Sequence, residues 1–408
     1  MEDKVGIYIQ CYNGEVNGTL KRAIDSILNQ TYNNFILYIA DNASTDGTRG
    51  IIEEYVKQDN RIHSILYENE LGIDPVQKHY RSIETIRDKI DCEWWCNLDS
   101  DDEYMPNFLA EMIKFAHDGC LDMAICSSEF YNATTNQIQH FRATSSDLII
   151  TGDTFGSKYS EYHQFMRPIW GKLIKMNVIK ALPFDVLARP EYRGDTEFIF
   201  MTLRYCDRVG ISPKVLHRYY VNPISESSSL QTNRIYRAGW LLDNNISFLE
   251  EKCGEISPQN SLFIQVVYVN DTLDTLGVLL NSKASNQEKL SAIVHIFTQE
   301  HTVRLVKQER SEYSEALYSY SVKLFIPVEK WLLNFQGEIP DEQMVQFCDV
   351  GQLCCDVTQN SDGWVVFEKL RIAFLLESNY IEEARHKHSE LLKLLPNDQD
   401  LIKLREYL

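Results

Sequence analysis

The chain has 408 residues, of which 44% are hydrophobic, and a formal net charge of −19. That length exceeds one ordinary core, and the apolar share lets two domains each bury a substantial surface. The negative balance works against binding nucleic acid or anionic membrane, because counterion release would run the wrong way. No basic stretch leading into an apolar run opens the chain, and no apolar run is long enough to cross a bilayer. A cytoplasmic protein with no transmembrane segment is therefore expected. The ten cysteines are scattered. Neither Cys92 with Cys96 nor Cys354 with Cys355 has the second half that a zinc site needs, so reduced, mostly buried thiols are expected.

In chain order, Val5 to Ile9 reads as a β-strand, and a helix follows from Asn17 with Leu20, Ala23, Ile24, Ile27 and Leu28 on one face. Phe35 to Ala40 is a second strand and runs into Asp41-Asn42-Ala43-Ser44-Thr45-Asp46-Gly47. There Ser44 or Thr45 suits the cap of a second helix through Val56, with Asp46 in its first turn. Arg61 to Tyr67 reads as a third strand, Pro75 to Ile90 as a third helix and Glu93 to Leu98 as a fourth strand. This alternation predicts an α/β fold, a mostly parallel sheet with helices on both faces. In such sheets the polar residues just past the strand ends meet in one crevice, so Tyr12-Asn13, Asp41-Asn42 and Asp99-Ser100-Asp101 are expected to converge.

The run Asn97-Leu98-Asp99-Ser100-Asp101-Asp102-Glu103 crowds carboxylates at the end of an apolar strand. Close carboxylates repel unless something positive lies between them, and a hard divalent cation with oxygen ligands serves that purpose. Read alone, the run fits equally a solvated acidic turn leading into a helix near Pro106. A dinucleotide oxidoreductase would need G-x-G-x-x-G after the first strand, but only Gly14 and Gly18 are present there. No Walker lysine motif occurs either.

From Val5 to about Ser229 these motifs, in order, resemble the family 2 glycosyltransferases of the GT-A fold, of bacterial type. The residues that carry the resemblance are Tyr12-Asn13, the run Arg22 to Tyr32, Asp41 to Thr48, Leu98 to Asp102, Trp170-Gly171-Lys172-Leu173 and Arg193 to Phe198. The resemblance implies a Rossmann-like GT-A domain whose Gln10, Tyr12 and Asn13 line a base pocket, with Tyr12 stacking. Asp41 and Asn42 would hold the base edge, Ser100 and Asp101 the ribose and phosphates. Asp101, helped by Asp99, would hold Mn2+ or Mg2+, and Asp195 would be the general base. Trp170 and Lys172 would shape the acceptor or sugar pocket. Three departures stand out: Asn42 where the family often has a second Asp, Gly194-Asp195 where a Glu-Asp pair is common, and Gln77 and Lys78 where an Arg is usual.

The chemistry explains these residue types. Glycosyl transfer places positive charge on the sugar ring and negative charge on the departing diphosphate, and an inverting transfer needs a carboxylate to take the acceptor's proton. By spacing alone Asp195 better suits the N-cap of a helix over Thr196 to Tyr205, and the resemblance reverses that preference, with Glu197 the nearest substitute as base. His217 and Arg218 fall where a mobile loop could close on a diphosphate.

Beyond about Arg234 helical periodicity dominates, which sets the domains at 1–233 and 234–408, the second all-α. Val365 to Leu395 resembles one tetratricopeptide hairpin. Leu370, Ala373 and Phe374 would pack its first helix, Asn379-Tyr380 would turn it, Ala384 would sit at the crossing and Pro396 would end it. Such a domain is expected to brace the catalytic part, form a homodimer or hold a protein or peptide acceptor. The reading is a metal-dependent inverting transfer from a nucleoside diphosphate sugar, UDP-linked, to a hydroxyl or thiol acceptor on a protein, peptide or glycan. Its alternatives are a transferase of cell-surface polysaccharide synthesis and a non-catalytic GT-A scaffold.

Overall fold

The structure, a computed structural model, describes residues 3–15, 18–67, 75–187, 194–221, 234–307 and 312–408. The chain forms two compact units, residues 1–225 with 244–260, and residues 226–243 with 261–408. In the first unit the strands are β1 (Val5–Cys11), β2 (Phe35–Asp41), β3 (Ile62–Leu66), β4 (Trp94–Asp99), β5 (Glu103–Tyr104), β6 (Met123–Asn132), β7 (Gln137–Arg142), β8 (Leu148–Thr151), β9 (Lys172–Lys175) and β10 (Arg208–Tyr220). They form one sheet in the order β3-β2-β1-β4-β9-β6-β10-β5, with β7 beside β6 and β8 beside β10. Pairings among β1 to β4 and between β6 and β10 are parallel, and those of β5, β7, β8 and β9 are antiparallel. The helices α1 (Thr19–Leu28), α2 (Thr48–Gln58), α3 (Pro75–Arg87) and α4 (Phe108–Asp118) connect and flank the early strands.

Strand alternation divides the core. Ile7 and Ile9 of β1 with Trp94, Cys96 and Leu98 of β4 share one cluster with Leu20 and Ile24 of α1, Ile52 of α2 and Met112 of α4. The residues between them point to the other face. There Trp95 lies 5.9 Å from the ring of Phe198, in the helix Asp195–Arg204, and Tyr80 of α3 lies 5.8 Å from the same ring. Asp99 has the parity of Trp95, so the sheet aims it at the face that the Asp195 helix covers.

Two local expectations need correction. Ser44 and Thr45 do not cap α2, whose cap position is Gly47, without a side-chain bond. Asn13 takes them instead: its amide oxygen accepts from Thr45 N at 2.9 Å, and its own N–H donates to Ser44 Oγ at 2.8 Å. Nor do His217 and Arg218 lie on a loop. Both belong to β10, with His217 buried and Arg218 held to Glu129 at 2.5 Å.

The second unit is helical. Its helix Pro258–Asn281 is long and apolar enough, by length and composition, to cross a membrane, and 44% of its most apolar window is buried inside the fold. It also carries Asp271, buried and paired with Arg237 at 2.8 Å. Near the C-terminus, helices Ser361–Glu377 and Ile381–Leu394 meet around Asn379, which adopts a positive φ of 64°. Ala384 is fully buried. The packing face of the first of these helices differs from the expectation. Phe367, Ile372 and Leu375 are buried, whereas Leu370, Ala373 and Phe374 are only half-buried. The reason is a second neighbour, the helix Asp341–Thr358, whose Gly351 makes room for the Phe367 ring. A Cβ at position 351 would stand 2.5 Å from that ring. Gly351→Ala should therefore destabilise the protein in urea unfolding, because overpacking at about 1–3 kcal/mol outweighs about 1 kcal/mol of gained helix propensity. Adding Phe367→Leu should restore most of the loss, and simple additivity of the two changes would contradict this packing.

Candidate functional site

The register puts three strand ends at one level, with Cys11 opposite Asp41 and Gln10 opposite Asp99. Beyond β4 the chain turns back, Asp102 N donating to Asp99 O at 3.1 Å. Asp99, Asp101 and Asp102 thus offer oxygens that all lie within 4.8 Å of one another. Burial raises the pKa of each. Asp195 and Asp101 raise Asp99 further, and Asp99 and Asp101 raise Asp102 further. Asp102 is fully buried. Its Oδ1 accepts from Tyr220 N at 2.9 Å, while its Oδ2 has no hydrogen-bond partner. Opposite that oxygen, 3.3 Å away, stands Nε2 of His217, and neither ring nitrogen of His217 makes a hydrogen bond. Burial, then Arg142 and Lys172, hold this imidazole well below its ordinary pKa, so it is neutral. Arg22 supplies positive charge nearby: it donates to Asp101 O, lies 3.6 Å over the Tyr220 ring and lowers Asp101 and Asp102. Three carboxylates with an orphaned oxygen, facing a neutral imidazole, make a donor set that fits a hard divalent cation.

Asp195 is the first residue of its helix rather than the cap, which is Gly194. Its carboxylate accepts from Ile169 N at 3.4 Å, and burial raises its pKa against the nearby Lys172. Gly194 has φ 120° and ψ 175°, a region open essentially to glycine alone. A Glu at 194 could not take this backbone route, which is the physical side of that departure. Trp170 and Lys172 flank Gly171, another positive-φ glycine at 70°, whose N–H donates to Tyr104 Oη at 3.0 Å. The turn lays Trp170 flat on His217, with centroids 4.2 Å apart and planes at 17°. It also buries Lys172, whose ammonium donates to Pro168 O and whose pKa burial and Arg142 lower to about 7.

At the end of β2, Asp41 and Asn42 have different surroundings. The buried Asp41 carboxylate is taken by Arg49 at 2.8 Å and by Ser44 N at 3.2 Å. Asn42 is only 6% exposed, yet its Oδ1 has no hydrogen-bond partner among the described residues. Asn13 braces the Ser44-Thr45 turn, while Tyr12 is half exposed beside it. Gln10, one residue before the end of β1, pairs opposite Asp99, and Ser100 follows in the turn. Leu71 and Gly72 lie outside the described residues, as do Arg193 and the side chains of Gln77 and Lys78. Sequence reasoning passed over Asp102 as a donor and Arg142 altogether. Asp102 adjoins the motif and could have been found there. Nothing in the sequence marks Arg142.

Residues 7–186 match the family described as Glycosyl transferase family 2. The match lies within the first of the two units. EpsH of Bacillus subtilis, named as a glycosyltransferase, is 26% identical over 256 residues, covering 60% of this chain and 69% of EpsH. TuaG of the same organism, named for teichuronic acid biosynthesis, is 29% identical over 96 residues, covering 24% of this chain and 36% of TuaG. The crystal structure of S. aureus TarS 1–349 with UDP-GlcNAc superposes at a TM-score of 0.46 and 13% identity over 90% of each chain. This glycosyltransferase therefore carries its family match on the unit that holds the carboxylate cluster and Asp195.

Two outcomes follow from these positions. Gly194→Ala should cost about 1–3 kcal/mol of backbone strain and displace Asp195; wild-type stability and activity together would show the route to be unconstrained. Lys172 bears on pH. Its folded pKa of about 7 lies below the ordinary 10.5, so the unfolded chain binds more protons between those values. The penalty for burying the charged amine is full below about 7 and fades as pH rises towards 10.5. Lys172→Met should gain most over wild type near pH 6–7, with the gap closing by about pH 10 in chemical unfolding. A gap that is constant with pH would refute the depressed amine.

Proposed function

We propose that the chain transfers a sugar, with inversion, from a uridine diphosphate sugar to a hydroxyl of a cell-surface glycan, with a divalent cation, Mn2+ or Mg2+, at Asp99, Asp101, Asp102 and His217. The observation that carries this reading is the meeting of that donor set with Asp195 on one face of the sheet edge. The cation, when bound, neutralises charge on the departing diphosphate. The chain's own groups supply the rest. Asp195 takes the proton of the acceptor hydroxyl as its oxygen bonds to the anomeric carbon. The bond from that carbon to the phosphate oxygen breaks, and its electron pair leaves with the nucleoside diphosphate. Burial suits Asp195 to this work, because a carboxyl with a raised pKa is a stronger base.

Uridine is favoured by Asn42, whose orphaned Oδ1 is an acceptor that a uracil ring N–H can satisfy. Tyr12, half exposed at the same edge, offers a face for stacking. The glycan acceptor is favoured over a protein or peptide by the name of the relative TuaG. The protein-acceptor reading rests on the helical unit, through the concave surface that tetratricopeptide-like hairpins present. The same unit could serve instead as a dimer surface.

Calorimetry with UDP- and GDP-linked sugars, with and without manganese, tests the donor. Manganese-dependent binding of the uridine series is expected, weakened about tenfold or more in Asn42→Ala. Asp101→Ala should abolish metal-dependent donor hydrolysis. Asp195→Asn should keep donor affinity but lower transfer by about 100-fold or more. Preference for guanosine, or full transfer by Asp195→Asn, would refute the assignment concerned.

A further inference from the structure

Arg142 ends β7, paired with Ser128 of β6. Its guanidinium lies 5.2 Å from the ring centroids of both Phe130 and Trp170, and its Nη1 is buried without a hydrogen-bond partner. No described residue forms an ion pair with it. Four arginines of this unit contrast with it: Arg49, Arg61, Arg204 and Arg218 each hold a carboxylate within 2.8 Å, and Arg208, which has no ion pair among the described residues, donates to Gly119 O at 2.6 Å. Burial and then Arg167 lower the pKa of Arg142 to about 10, against a smaller opposing effect of Tyr219. Arg142 in turn depresses Lys172 and His217. A desolvated guanidinium among cations is unfavourable in the empty protein, and its planar fork matches a phosphate or carboxylate.

We propose that Arg142 anchors an oxyanion subsite beside the transfer site, taking a phosphate or carboxylate carried by the acceptor. The inference rests on the transfer reading above. Two observations place it on the acceptor side. The carboxylate cluster that would meet the donor diphosphate already has its own cation in Arg22. Contacts then run from Asp102 to His217, from His217 to Trp170 and from Trp170 to Arg142, so two stacked rings intervene. Arg142 acts on Lys172, which acts in turn on Asp195, the base that must touch the acceptor.

The test uses the full chain saturated with UDP and manganese and titrated with methyl phosphate and with methyl glucuronide. Wild type should bind at least one of these anions. Arg142→Gln should weaken that binding tenfold or more, and Arg142→Lys should retain part of it. Affinity for UDP with manganese should stay within twofold in both variants. Arg142→Gln should melt no lower than wild type, since it removes a partly buried charge that has no ion-pair partner among the described residues, whereas a purely structural arginine would lower the melting temperature. Unchanged anion binding in Arg142→Gln overturns the proposal. So does competition of the probes with UDP together with loss of UDP affinity in the variant, which would make the subsite the diphosphate's own. If wild type binds no nucleotide yet holds methyl phosphate through Arg142, the transfer reading fails and the anion site survives without its acceptor role.

Discussion

The site depends on one electrostatic constraint: three carboxylates crowded at the end of β4, which cannot all be charged without a cation among them. The fold creates this crowding. The tight turn from Asp99 to Asp102 doubles the chain back, and the bond from Tyr220 N to Asp102 clamps the turn to the end of β10. Two strands that are distant in sequence are thereby joined through a side chain rather than by sheet pairing alone. Arg22 answers part of the charge, and the orphaned Asp102 oxygen marks where the rest is needed. The site is thus set up before any ligand arrives, which is how an enzyme avoids reorganising charge during the reaction.

A second consequence is polarity across the site. The acids lie at the ends of β4 and of the Asp195 helix, and Arg142 and Lys172 lie beyond the stacked pair Trp170 and His217. The aromatic pair does more than fill space. It keeps His217 neutral by burial and leaves the acids and the unpaired arginine distinct rather than collapsed into a salt bridge. A direct pairing of Arg142 with the acids would relieve both charges and leave little tendency to bind a cation or an anion. On the two readings proposed above, stability is given up here for two separate binding functions, as functional sites commonly do.

The parts legible in sequence were those governed by local pattern. Short apolar, β-prone runs located β1 to β4, and a helical stripe located α1, because burial imposes such patterns directly on neighbouring residues. The Asp99 to Asp102 run was visible for the same reason, being contiguous. What escaped was set by partners far along the chain. Ser44 and Thr45 look like caps, but Asn13 outcompetes the helix for them. Leu370 and Phe374 look like a core face, but the helix around Gly351 draws Phe367 inward instead. His217 looks like a loop residue because the aromatic run after it hides a strand, β10, whose exposure varies along its length. Arg142 carries no local signal at all, since what sets it apart is a missing partner, and only three dimensions reveal that.

The pair Asp41-Asn42 shows how a departure from family pattern can be absorbed. If both residues served the nucleoside, an amide in place of the second acid would weaken the pocket. The contacts divide the labour instead. Asp41 spends its charge on Arg49 and the Ser44 backbone, holding the loop that follows β2. Asn42 keeps a buried acceptor with no internal partner. A neutral amide oxygen can accept one hydrogen bond from a ring N–H as a carboxylate does, without adding a further negative charge to an edge already crowded with acids. On the uridine reading proposed above, the substitution removes charge where the site has too much of it and keeps the lone pair that recognition would require.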